Sequence, residues 1–138
     1  MRLVLLAAIG VVALAGVGGA SPASKEAMDG YCLKPIGEYY RDICYAVNRK
    51  TTTGAYGLSL SMHERYFSRY GVCIRRLGEK RICRTFPVHQ MGIYSPRWGG
   101  YRKWERNFPP PRPGRYWVTW WEGGHRLGRA LTFSVPAT

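Results

Sequence analysis

Tyr116-Trp117-Val118-Thr119-Trp120-Trp121-Glu122-Gly123-Gly124-His125-Arg126-Leu127 reads as two strands folded back on a glycine pair. Alternation places Tyr116, Val118 and Trp120 on one face and Trp117, Thr119 and Trp121 on the other, the period-two signature of a half-buried strand. Gly123-Gly124 is the two-residue turn that primed hairpins favour, because both positions tolerate positive φ. On the return strand, Leu127, Leu131, Phe133 and Val135 share a parity. Folding about the turn sets Trp120 against Leu127 and Tyr116 against Leu131. Arg129 then falls opposite Val118 on the apolar face, a misfit that a bulge at Gly128 or snorkelling of the long side chain would absorb. Trp117 and Trp121 are left on the opposite face, where they are either covered by more protein or offered to a partner.

A second hairpin lies upstream. Gly71-Val72-Cys73-Ile74-Arg75-Arg76, the loop Leu77-Gly78-Glu79, and Lys80-Arg81-Ile82-Cys83-Arg84 fold about Gly78 so that Cys73 meets Cys83 and Ile74 meets Ile82. Directly opposed residues bring their Cβ atoms to roughly 4.5 to 5.5 Å, close to bridging distance. Four cysteines allow three pairings, and spacing alone does not choose among them. The hairpin favours Cys73 with Cys83, which leaves Cys32 with Cys44 around a small loop containing Pro35 and Gly37. A zinc site is disfavoured because neither spacing is a C-x₂₋₄-C knuckle, and the absence of C-x-x-C argues against a redox enzyme. No cofactor or metal is expected.

Further strands follow from the same periodicity. Leu58, Leu60 and Met62 alternate with Ser59, Ser61 and His63, while Tyr66, Tyr70, Val72 and Ile74 share a parity. Ile43 to Asn48, Lys80 to Val88 and Met91 to Tyr94 are also strand candidates, and Ser24 to Asp29 is compatible with one helical turn. No window of ten residues carries a helical stripe. Six or seven short strands separated by turn signals predict an all-β fold, a small antiparallel sandwich or a barrel. The tail Pro113-Gly114-Arg115-Tyr116-Trp117-Val118-Thr119-Trp120, with Leu127-Gly128 and Leu131-Thr132-Phe133-Ser134-Val135 after it, resembles the last two strands of bacterial extracellular immunoglobulin-like or fibronectin-like modules. That resemblance implies an architecture and no activity.

The N-terminus sets the compartment. Met1-Arg2, the apolar run Leu3 to Val17 and the small residues Gly18-Gly19-Ala20 have the order of an export leader, with cleavage expected after Ala20 or, second, after Ala23. The run is short for a membrane span and is followed at once by Ser21-Pro22. Residues 1–20 are therefore expected to be removed and residues 21–138 to form one secreted or periplasmic domain, stapled by disulfides. No second segment approaches spanning length.

The chain carries 21 Lys and Arg against 8 Asp and Glu, a formal net charge of +13. Arg dominates, and Arg suits bidentate contact with phosphate, sulfate or carboxylate and stacking on aromatic rings. Outside a cell the matching partners are lipopolysaccharide, teichoic acid, anionic glycans, membrane lipid or released nucleic acid. The leading candidate surface runs from Ser95 to Arg115, where Arg97-Trp98, Tyr101-Arg102-Lys103-Trp104 and Arg106 interleave cations with aromatics before Pro109-Pro110-Pro111-Arg112-Pro113, an extended polyproline run. Trp117 and Trp121 join this set. An equally weighted alternative makes the stretch a long loop whose aromatics tuck beneath it. Catalytic signatures are missing: there is no G-x-S-x-G, H-E-x-x-H or phosphate loop, and His63, His89 and His125 have no diagnostic spacing. The expectation is a non-catalytic binding module, with a protein-interaction or inhibitor domain and a small basic nuclease as alternatives.

Overall fold

A computed structural model describes residues 25–33 and 42–138. The expected leader and the loop around Pro35 and Gly37 lie outside the described residues. Nine strands and one short helix are found among the described residues: β1 (Lys25–Cys32), β2 (Ile43–Lys50), β3 (Tyr56–Met62), β4 (Arg69–Arg76), β5 (Ile82–Pro87), β6 (His89–Gln90), β7 (Trp98–Lys103), α1 (Trp104–Asn107), β8 (Gly114–Glu122) and β9 (His125–Val135). All pairings are antiparallel. One sheet has the order β1-β2-β3-β7-β6 and the other β5-β4-β8-β9. The protein is a small β-sandwich.

Alternation supplies the core. Ile43, Tyr45 and Val47 of β2 and Leu58, Leu60 and Met62 of β3 turn inward from the first sheet. They meet Val72 and Ile74 of β4, Tyr116, Val118 and Trp120 of β8, and Leu131 and Phe133 of β9, all buried in one cluster. Tyr45 stacks on Trp120 with ring centroids 4.8 Å apart, and its hydroxyl donates to the carbonyls of Leu127 at 3.0 Å and Arg129 at 2.6 Å. A buried hydroxyl needs such acceptors. Desolvation pushes the Tyr45 pKa up to about 12.

Both disulfides are formed, Cys32–Cys44 and Cys73–Cys83, each between directly opposed residues of neighbouring strands. Ile74 meets Ile82 as the hairpin geometry requires. Each bridge lies on the outward parity of its sheet, opposite the core residues on either side.

The C-terminal hairpin departs from simple folding about its turn. Trp120 pairs with Leu127, but Val118 pairs with Leu131 and Tyr116 with Phe133, not Leu131. Gly128, Arg129 and Ala130 together face only Thr119, so β9 bulges, with Gly128 at φ +47°. The bulge keeps Arg129 out of the core. Its guanidinium instead reaches β1, where Nη2 and Nη1 donate to the two oxygens of Asp29 at 2.9 and 3.1 Å, and the Thr132 amide donates to the same carboxylate at 3.0 Å. Asp29 itself follows an irregularity in β1 between Ala27 and Asp29. Two bulges thus bring the edge strands of the two sheets together and close one side of the sandwich.

Three local expectations are corrected. Lys25–Cys32 is a strand, not a helical turn, because it pairs along its length with β2. Met91 to Tyr94 is a turn, not a strand: the Ser95 amide donates to the Gly92 carbonyl, and the segment has no ladder partner. Trp98–Lys103, within the stretch for which a long loop was the alternative reading and no strand was expected, is a strand hydrogen-bonded to β3. No helix among the described residues is long and apolar enough to cross a membrane.

Candidate functional site

The segment rich in Arg and Trp does not form one surface. Because residues 98 to 103 are a strand, their side chains alternate between the two faces of the first sheet. Arg97, at its start, is tied down: Nη1 donates to Asp42 at 2.6 Å and Nε to Ser61 at 2.7 Å. Trp98 is half-buried against the core with the Arg65 guanidinium 5.7 Å above its ring. Tyr101 turns to the outer face and lies across Gly57, where an added Cβ would sit 2.1 Å from the tyrosine oxygen. Arg102 turns inward, its guanidinium 4.9 Å from the Phe86 ring. Its Nε and the Tyr70 hydroxyl are buried without hydrogen-bond partners, and burial raises the Tyr70 pKa against the opposing influence of Arg102.

Lys103 and Arg106 are exposed, flanking a Trp104 that is only 1% exposed. One turn of helix drives Trp104 into the core, edge-on to Tyr116 and Phe133 at 5.4 and 5.7 Å, with Nε1 donating to the Pro109 carbonyl. The polyproline run is pinned beside it. Arg76 donates to the Pro113 carbonyl, and Glu79 pairs with both Arg76 and Arg112. Most of this stretch therefore serves the fold.

Trp117 and Trp121 occupy a different setting, the outer face of the second sheet. The register gathers four arginines around them. Arg75 of β4 is paired with Trp117, Arg126 of β9 is paired with Trp121, Arg115 is two residues along β8, and Arg81 enters from the β4–β5 turn. The Arg75 and Arg115 guanidiniums lie 4.8 and 5.6 Å from the centre of the Trp117 ring, and that of Arg81 lies 5.2 Å from Trp121. Trp121 is oriented by its Nε1, which donates to the Thr119 hydroxyl at 2.8 Å. Cys73–Cys83 forms the floor, with Cys73 6% exposed beneath the side chains.

The two tryptophans with Arg75, Arg81 and Arg126 line a shallow depression of about 280 Å³; Arg115 stands outside its lining, and none of the lining residues is acidic. The ion pairs of the described residues engage Arg76, Arg97, Arg112 and Arg129 and leave Arg75, Arg81, Arg115 and Arg126 outside them. Like charges this close repel unless something offsets them. The tryptophan rings do so in part, since a guanidinium over an aromatic face gains about 0.5 to 1 kcal/mol at an exposed site. A guanidinium lying over an aromatic face keeps its in-plane N–H donors available for an anion.

Arg75, Arg81, Arg115 and Arg126 escaped the sequence-based site because they come from three strands and a turn. A signal for them existed. Arg115 has the outward parity of Trp117, Arg75 is out of phase with the inward Val72 and Ile74, and folding about Gly123-Gly124 sets Arg126 against Trp121.

His63, His89 and His125 are all exposed, on the β3–β4 connection, on β6 and at the start of β9. No group of three His, Cys, Asp or Glu able to hold a metal ion occurs among the described residues. No family model, no curated protein and no solved structure matches this chain.

Proposed function

We propose that the protein is an exported, non-catalytic binding module that captures an anionic envelope or extracellular polymer on the outer face of its second sheet. One observation carries the reading: Arg75 and Arg81 lie over Trp117 and Trp121, beside Arg126, in a depression without a carboxylate, with Arg115 over Trp117 at its side. A sheet braced by the Cys73–Cys83 disulfide beneath the site supports presentation of these groups at little entropic cost on binding. Export, with removal of residues 1–20 and oxidation of the cysteines outside the cytosol, belongs to the same reading. Ligands that present clustered phosphate, sulfate or carboxylate groups suit it best. Nucleobases suit it less, since the Trp117 ring already carries two guanidiniums and has little free surface for stacking.

The test is retention on a heparin matrix, read as the salt concentration at elution. Replacing Arg75, Arg81, Arg115 and Arg126 with Gln is expected to move elution to clearly lower salt. Replacing Lys50, Arg65, Lys103 and Arg106, four cations off this face, is expected to move it much less, although both variants lose the same charge. Equal shifts would reduce the face to a share of the net charge, and the reading would fail.

A further inference from the structure

The β6–β7 turn presents the two most exposed large apolar side chains among the described residues, Ile93 at 87% and Tyr94 at 97% exposure. They are neighbours at the tip of a braced turn. The Ser95 amide donates to the Gly92 carbonyl, the Met91 amide to the Arg97 carbonyl, and Gln90 Nε2 to the Ser95 carbonyl. The Ser95 hydroxyl in turn accepts from the Arg97 amide, and Arg97 is clamped to Asp42 and Ser61. The turn therefore holds Ile93 and Tyr94 away from the core. A chain with room for both residues in its interior would bury them, and single exposed apolar residues are ordinary where a pair at a rigid tip is not.

We infer that this tip is a membrane-contact wedge, in which Ile93 enters the acyl boundary and Tyr94 sits at the headgroup level of an anionic phospholipid surface. The chemistry favours lipid over a protein pocket on two counts. Tyrosine with an apolar neighbour is the pairing found at membrane interfaces, an apolar ring body below and a hydroxyl in the wet layer above. The charge is complementary as well, because the protein carries +13 and Arg65 lies over the ring of Trp98, the residue that opens β7 directly after the turn. A short apolar insertion is too weak to hold a protein alone, and basic charge without insertion is released by salt; together they give stable attachment. This contact is independent of the Arg and Trp face, which lies on the other sheet.

Sedimentation with phosphatidylcholine vesicles, with and without phosphatidylglycerol, tests the inference. The parent protein is expected to bind the phosphatidylglycerol vesicles and to retain part of that binding at high salt. The variant carrying both Ile93→Ser and Tyr94→Ser should lose roughly tenfold or more in partitioning, as removal of this much buried apolar area implies, and its residual binding should vanish with salt. Tyr94→Trp should bind at least as tightly as the parent. Neither substitution touches the core, so melting temperatures should be unchanged. Partitioning of the double variant equal to that of the parent, or weakened binding by Tyr94→Trp, would overturn the wedge. The four-Arg variant of the second sheet serves as the separating control: it should lower heparin retention while keeping the salt-resistant part of vesicle binding.

Discussion

Asp29 shows how much structure one side chain can organise. Its carboxylate accepts from both terminal nitrogens of Arg129 and from the amides of Thr132 and Gly30, joining β1 to β9. The Arg129 guanidinium holds its pKa below the usual carboxylate value of 3.8, and the two amides add to the effect against partial burial. A lowered folded-state pKa means that the unfolded chain binds the proton first. The contribution is thus complete above pH 3.8 and is lost as pH falls through the folded value. Asp29→Asn should lower stability at pH 7 by roughly 1 kcal/mol after solvent screening. Denaturant midpoints of parent and variant should converge as the solution is acidified below pH 3.8; a difference that persists there would mean that Asp29 acts through packing and not through charge.

At the scale of elements, the two hairpins were legible because opposition across a short turn is a local matter. Cys73 against Cys83 and Trp120 against Leu127 both follow from counting outward from glycine. Strand β7 was not legible. Trp98, Gly100 and Arg102 share one parity and Gly99, Tyr101 and Lys103 the other, so neither face reads as apolar. What makes it a strand is its pairing with β3 and the close approach that glycine permits: a Cβ at Gly99 would lie 2.0 Å from the Leu60 carbonyl oxygen. Strand β1 is similar, a polar edge defined by its partner. The β9 bulge depends on Gly128, whose added Cβ would meet the Tyr45 hydroxyl at 2.5 Å and the Tyr31 ring at 2.7 Å, in a backbone conformation that L residues rarely adopt. Gly128→Ala should therefore cost about 2 kcal/mol or more, read from thermal unfolding. A neutral result would show that the bulge relaxes freely.

At the scale of the molecule, one continuous core joins two sheets, and the disulfides restrain both from outside it. They link residues 12 and 10 positions apart, for which chain-entropy arguments give about 3 kcal/mol each. Their sum is comparable to the whole stability of an ordinary domain, roughly 5 to 15 kcal/mol. Chemical denaturation with and without reductant should show the reduced protein less stable by several kcal/mol, and replacing Cys73 and Cys83 with Ala should account for about half of the loss. An unchanged midpoint in reductant would mean that the core suffices without the bridges. The candidate site also exists only at this scale, since its arginines come from β4, β8, β9 and a turn.

The sequence by itself determined the all-β class, the inward parity of β3, β4, β8 and β9, and the opposition of Cys73 to Cys83, because period-two alternation and short turns act through neighbours along the chain. Tertiary structure decided which cations share a face and which aromatics are structural. Trp104 is buried by a helical turn that packs it against Tyr116 and Phe133, while Trp117 stays at the surface beneath Arg75 and Arg115. The physical reason is that burial depends on what the opposing sheet provides, and the partners that cover a residue are brought to it from distant parts of the chain.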